Sequence, residues 1–399
     1  VSELDQDNLR PISFSRVGAF VGLMAVALFG AIWAKPILVP LVFAILFALV
    51  LRPLCNWLEE YIPVKWLAIT ITFILAALPI AGLILLFTFQ TISVLEDLPT
   101  ITEEFQESLN RISAAVTRQF PVELETTGYQ WMQEQLGDAL DEPFVYIRGL
   151  IEGGAGLIAS LLLIFLYTFL LLLYRQPIYH FILGQFGIPN RRRMEFIMAD
   201  TQRMSYTYLK GLVLVMVLLG FLNSLGLTLI GLEYAFFWGF FAAFLAIIPY
   251  VGTFLGGLMP FLYALSTTDT TWQPVAVVAL FTTVQAIEGN IITPKIVGSS
   301  IQVNPLAAIL ALFIGGFVWG VEGLILALPV TAMLRIIMVH SGRFRPIGLL
   351  LSDELQDRES EFLTLLDKPH YRIINLFRTQ APFGQGTPAS AKTKTEGTN

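Results

Sequence analysis

Apolar residues in this chain come in long blocks rather than at the spacing of a soluble amphipathic helix. The first block runs from Val17 to Ala34, and only Lys35 and Pro36 separate it from a second, Ile37 to Leu51. That adjacency predicts a helical hairpin rather than a cleaved signal peptide. A polar stretch from Arg52 to Lys65 precedes a third block, Trp66 to about Phe89. Further blocks cover Gly153 to Tyr174, Gly211 to Leu232, Thr270 to Ile287, Asn304 to Val321 and Gly323 to Val339. Charges are absent over roughly 16 to 35 residues at a time, which suits helices crossing about 30 Å of hydrocarbon at about 1.5 Å per residue.

Two stretches break this pattern. Tyr234 to Thr268 carries no charge and as one helix would measure about 52 Å, well beyond a bilayer. It is expected to break within IPYVGTFLGGLMP, at Pro249, Gly252, Gly256, Gly257 and Pro260. The result is either a re-entrant hairpin or two short spans, and irregular backbone at that depth survives only where protein or water satisfies it. The second stretch, QAIEGNIITPKIVGSS at 285–300, holds Glu288, Asn290, Pro294 and Lys295. Pro294 removes a backbone donor and disfavours helix at Thr293.

Composition supports the bilayer as solvent: 55% of the residues are apolar and 14% charged, with a mean hydropathy of +0.71. The net charge of −6 matters less than its distribution. Residues 90–148 are acidic, while 175–206 carry Arg175, Arg191, Arg192, Arg193 and Arg203. By the positive-inside rule the basic segment is cytoplasmic and the acidic one is not. Ile101, Phe105, Leu109, Ile112 and Val116 recur at helical spacing in the acidic segment, as in an amphipathic helix lying on the protein or membrane surface. The triplet Arg191–Arg193 reads as a topology signal or a contact to anionic lipid, not to nucleic acid.

The fold expected is all-α: a polytopic helical membrane protein of about eight transmembrane helices, with a re-entrant or broken-helix hairpin and an extramembrane helical insert. In order, these are a cytoplasmic N-terminus (1–16), three spans (17–89), the acidic insert (90–148) and a transmembrane core (149–340). The core contains a basic cytoplasmic loop at 175–206 and broken helices at 234–268 and 274–300. A cytoplasmic tail (341–399) follows, compositionally disordered from about 380.

Candidate chemistry is sparse. Cys55 is the single cysteine, and His180, His340 and His370 lie far apart without ligand spacing, so neither a metal site nor a cofactor is expected. GxSxG, HExxH and GxxxxGK motifs are absent, which argues against an enzyme. Gly18 and Gly22, Gly252 and Gly256, and Gly316 and Gly320 are spaced for close helix approach, and Pro305 and Pro329 read as kinks. Glu288 is the sharpest feature, because a charge near the bilayer centre costs about 2.5–3.5 kcal/mol unless paired, wet or protonated. Either it ends a helix at the cytoplasmic interface, or it sits at a helix break where Asn290 and freed carbonyls take a cation or polar solute. The pathway residues expected are Glu288, Asn290, Pro294, Lys295, Pro249, Tyr250 and Gly252.

YLKG at 208–211, IPYVG at 248–252, EGNIITPKIVG at 288–298 and NPLAAILALFIGGFVWGVEGLILALPVTAML at 304–334 together resemble the autoinducer-2 exporter (AI-2E) family of bacterial permeases, over roughly residues 15–345. The resemblance implies a multi-pass protein of the inner (plasma) membrane and a homo-oligomer, with a pentamer among the candidate assemblies; eight spans with 234–268 re-entrant would put both termini in the cytoplasm, as Arg335, Arg343 and Arg345 around the last span suggest. It also implies transport, either export of a small polar solute or signalling molecule, or sodium/proton antiport using Glu288. A membrane scaffold that recruits a partner through the acidic insert and moves nothing is the alternative of a different class.

Overall fold

A computed structural model describes residues 14–79, 81–82, 85, 154–248, 251–267, 270, 272–296, 302–341, 344–353 and 362–364. The acidic insert, Pro249, Tyr250, residues 297–301 and the chain beyond 364 lie outside the described residues. Within them the chain is helical, and the one extended pairing is an isolated antiparallel bridge between Val303 and Ser352.

Helix α1 (Phe14–Trp33) turns at Ala34 into α2 (Lys35–Tyr61), which Pro36 opens in the first turn, where a missing N–H costs nothing. After α3 (Lys65–Pro79), α4 (Gly154–Leu173) bends by 67° at Tyr174 into α5 (Arg175–Gly184). The longest element, α6 (Ile188–Ile230, 43 residues), ends on Gly231 at φ +80°, a left-handed position that glycine takes without strain. Next come α7 (Ala235–Leu245), α8 (Val251–Thr267) and α9 (Trp272–Ile296), the last containing a π-helical turn at Glu288–Ile292. The described chain closes with α10 (Pro305–Trp319), α11 (Val321–Val339) and α12 (Arg345–Leu350).

Among the described residues four helices are long and apolar enough to cross a membrane: α2, α6 from Asn190, α9 and α11; the bent α4–α5 pair makes a fifth if it is one span. The expected count of about eight is therefore met only in part among the described residues. The other apolar blocks form shorter helices, Val17–Trp33, Lys65–Pro79, Ala235–Leu245 and Pro305–Trp319.

Glycine backbones fix how these helices pair. A Cβ on Gly239 of α7 would sit 2.4 Å from the Ser224 backbone of α6, and one on Gly220 would sit 2.7 Å from the Phe240 ring, so α7 runs back antiparallel along α6. A Cβ on Gly252 would stand 1.6 Å from the Leu245 carbonyl oxygen, and one on Gly256 2.9 Å from Ala242 Cα. Thus α8 returns antiparallel to α7 as a hairpin. The expected break falls between Leu245 and Val251, while Gly252, Gly256, Gly257 and Pro260 lie inside α8, where the glycines act as contact points rather than breaks. Gln273 at the start of α9 donates to the Ile230 carbonyl at 3.1 Å, tying the entry of α9 to the end of α6. The hairpin core is aromatic and apolar, with Leu227, Trp238, Met259, Tyr263 and Val277 buried together.

Several local expectations change. The basic segment 175–206 is α5 and the first turns of α6, not a loop. Ile197 and Met204 in it, with Tyr208 just after it, bury a stripe against Ala332 and Ile336 of α11. Pro305 opens α10 behind an Asn304 cap, whose side chain accepts from Ala307 N at 2.7 Å, so it starts a helix instead of kinking one. Gly18 and Gly22 have nothing within 4 Å of an added Cβ, whereas Gly315 and Gly323 make the close α10–α11 approach, 1.9 Å from a Gly323 Cβ to the Gly315 oxygen. The beginning of the tail is part of the packed body. There Gly348 abuts the Val339 backbone, and Arg335 donates to Gln302 Oε1 at 2.9 Å and to the buried Ser352 Oγ at 3.0 Å.

Candidate functional site

Helix α9 does not end before Pro294. Thr293 keeps helical angles (φ −60°, ψ −46°), and its backbone N–H reaches the carbonyl of Glu288, five residues back. In a regular α-helix the proline ring would collide with the carbonyl four residues earlier and leave a ladder bond unmade. Widening the turn by one residue lets the chain carry proline without stopping. The expected break at 285–300 is thus a π turn, an irregularity frequent at functional sites.

The same widening sets the surroundings of Glu288. Thr293, five residues on, is brought round so that its hydroxyl donates to Glu288 Oε1, while Gln285 Nε2 donates to Oε2 at 2.7 Å. Val284 and Ile292 on either side are buried against Val215, Leu219 and Ala243. A half-buried carboxylate therefore sits among apolar neighbours with a donor on each oxygen. The two donors fix the orientation of the carboxylate, whose oxygens have further lone pairs beyond these two bonds.

Gln285 also lines an open groove of about 620 Å³ between α8 and α9, with Thr253, Gly257, Phe281, Thr282 and Ala286 among its walls. The groove joins the two interrupted stretches: Thr253 and Gly257 come from the first, Gln285 and Ala286 from the second. Glu288 is one turn beyond it, linked through Gln285. Measured along α9, Glu288 is 15 residues from Gln273, or about 22 Å.

Of the expected site residues, Glu288 is brought into this arrangement, and Gly252 sits buried at the hairpin tip. Asn290 is exposed and spends its amide on the Ala286 carbonyl of its own helix at 2.8 Å. Pro294 and Lys295 are exposed, the former acting through backbone geometry. Pro249 and Tyr250 lie outside the described residues. Sequence reasoning passed over Gln285, Thr253 and Thr293 as site residues. Gln285 was legible three residues before Glu288, a spacing at which helix side chains meet. The spacing to Thr293 gives no signal, because i to i+5 neighbours meet only in a π turn.

Comparisons with known proteins give the family. Residues 21–342 match the model of the AI-2E family transporter. YrrI of Bacillus subtilis (strain 168) is 27% identical over 342 residues, covering 82% of this chain and 93% of its own length. The AI-2 transport protein TqsA of Escherichia coli (strain K12) is 25% identical over 343 residues, 85% of this chain and 96% of TqsA. YhhT of Escherichia coli (strain K12) is 25% identical over 332 residues, 82% of this chain and 91% of YhhT. With a family match over most of its length and apolar helices long enough to span a bilayer, this chain belongs to the AI-2E transporter family.

Proposed function

We propose that the protein is a secondary transporter of the inner membrane that exports a small polar solute or signalling molecule, with the groove between α8 and α9 and the Glu288 turn as its pathway. The observation that carries this reading is the convergence of the two interrupted stretches on one groove, ending at a carboxylate with a donor on each oxygen. Discontinuous elements that meet inside a bilayer are where transporters build their sites.

In this reading Ile230 and Gln273 mark one edge of the hydrocarbon. A core of about 30 Å then leaves Glu288, about 22 Å along α9, some 8 Å short of the opposite edge. The α7–α8 hairpin enters from the Ile230 side and turns back, α7 spanning about 16 Å, near half the core. Counting that hairpin as re-entrant and the shorter apolar helices as spans gives eight crossings with both termini cytoplasmic. The basic first turns of α6 are then cytoplasmic as well.

Efflux from loaded proteoliposomes tests the proposal. Candidate solutes, autoinducer-2 among them because TqsA carries that name, should leave vesicles bearing the wild type. Glu288→Gln should lower efflux by at least about tenfold, the loss of about 1.4 kcal/mol or more expected when a charged hydrogen-bonding group is neutralised. Efflux unchanged in Glu288→Gln would reject the site. The same vesicles distinguish the coupling: sodium-driven proton movement that disappears in Glu288→Gln would assign sodium/proton exchange to this carboxylate.

A further inference from the structure

On the other side of the α7–α8 hairpin lies a second cavity, of about 350 Å³, enclosed by α2, α6, α7 and α11. Leu46, Met216, Ala243 and Leu326 represent the four helices in its wall, and the lining is aliphatic or aromatic throughout apart from the hydroxyl of Tyr208 at one end. Such a volume falls in the range of ligand sites, about 300–1,000 Å³, and far exceeds the voids that close packing leaves. It offers nothing to a sugar or an ion, because a polar group buried there without a partner costs about 2–7 kcal/mol. Apolar cavities of this kind stay dry and accept apolar guests.

The cavity is also continuous with the outer surface of the membrane-spanning helices. Phe47, Val213 and Phe244 line it and are 41%, 58% and 39% exposed, so its mouth opens sideways where acyl chains lie. The unbranched apolar chains of lipids are what a bilayer presents at such an opening. We propose that this cavity is a binding site for a single alkyl chain of a membrane amphiphile, admitted laterally past Phe47, Val213 and Phe244. The site is separate from the Glu288 groove and stands whether or not the groove conducts.

Photolabelling of the full-length protein in nanodiscs tests the inference, with a diazirine-bearing palmitic acid as the probe and adducts mapped by peptide mass spectrometry. Adducts should concentrate on α6 around Leu212 to Val217 and on Phe240 to Ile247 of α7 and the turn after it, and unlabelled palmitic acid should compete them away. Exposed α10 positions such as Phe313 should label without saturating. Met216→Trp, which fills the cavity, should bring α6 and α7 labelling down to the α10 level, while Met216→Ala should retain it. Because the wild-type competition stands alone, the inference stays testable if the tryptophan variant fails to fold. Labelling of α6 and α7 no denser than that of α10, or not competed by palmitic acid, would overturn it. So would labelling that appears only after an oligomer is dissociated, since a second copy of the chain would then be the occupant.

Discussion

At the scale of single residues, the contacts that matter most here involve side chains with little or no bulk. A Gly323 Cβ would stand 1.9 Å from the Gly315 oxygen, so Gly323→Ala should destabilise by about 1–3 kcal/mol through overpacking. Thermal unfolding in detergent should show a lower midpoint. Gly22→Ala is the matching control: nothing lies within 4 Å of its added Cβ, and replacing a mid-helix glycine should raise stability by roughly 0.5–1 kcal/mol. Gly22 belongs to a spacing singled out in the sequence and Gly323 to none of them, because spacing does not tell which glycine has a neighbour. Glu288 was legible as an acid in an apolar run. Its donor Thr293 was not, and Thr293→Val, which keeps the shape and removes the hydroxyl, should reduce efflux while leaving the unfolding free energy within about 1 kcal/mol of wild type.

At the scale of elements, the π turn and the α4–α5 bend are the two irregularities with consequences. Pro294→Ala restores a backbone donor and removes the ring clash that the wide turn accommodates. The helix is then expected to tighten to regular α geometry, carrying Thr293 away from Glu288, so the variant should be as stable as wild type yet transport less. Equal efflux and an unchanged midpoint would mean that the wide turn is not needed. At the bend, Arg175 on α5 donates to Glu59 Oε2 on α2 and to Cys55 Sγ at 3.3 Å, with both charged side chains under one-fifth exposed. Glu59→Gln leaves a mostly buried guanidinium without its counter-charge and should cost about 1–3 kcal/mol. The double change with Arg175→Gln should recover part of that loss, which a thermal double-mutant cycle measures. The basic stretch read as a loop is a helix for a reason visible in its own pattern. Ile197, Met204 and Tyr208 fall at intervals of seven and four, one face of a helix, and that face is buried on α11.

At the scale of the whole molecule, contacts far apart in sequence close the bundle. Lys35 and Glu322 pair at 3.2 Å across 287 positions, and Trp319 Nε1 donates to the Ala31 carbonyl at 3.0 Å. Both place the α1–α2 turn beside the α10–α11 turn. The Lys35–Glu322 pair is solvent-accessible and contributes little, whereas the opposite end holds a buried knot. There Arg335, Gln302 and Ser352 meet, and Asn304 Nδ2 donates to the Leu350 carbonyl at 2.6 Å. A chain ending after residue 353 keeps these contacts. One ending at residue 341 exposes the α11 surface under Gly348 and removes Ser352 from Arg335, and should yield little monodisperse protein in gel filtration. Full yield from the shorter chain would show that α12 is dispensable.

The sequence by itself determined the helical class, the bilayer as solvent, the two interrupted stretches and the family. Each of these depends on which residues follow one another, and hydropathy and charge act along the chain. Only the tertiary structure decided that IPYVGTFLGGLMP begins a packed helix whose glycines press on α7, and that Pro294 widens a helix instead of ending it. It alone brought Gln285 and Thr293 to Glu288 and left an apolar cavity behind the hairpin. Those outcomes depend on which backbone lies within a few ångströms of another, which the linear pattern of apolar and polar residues leaves open.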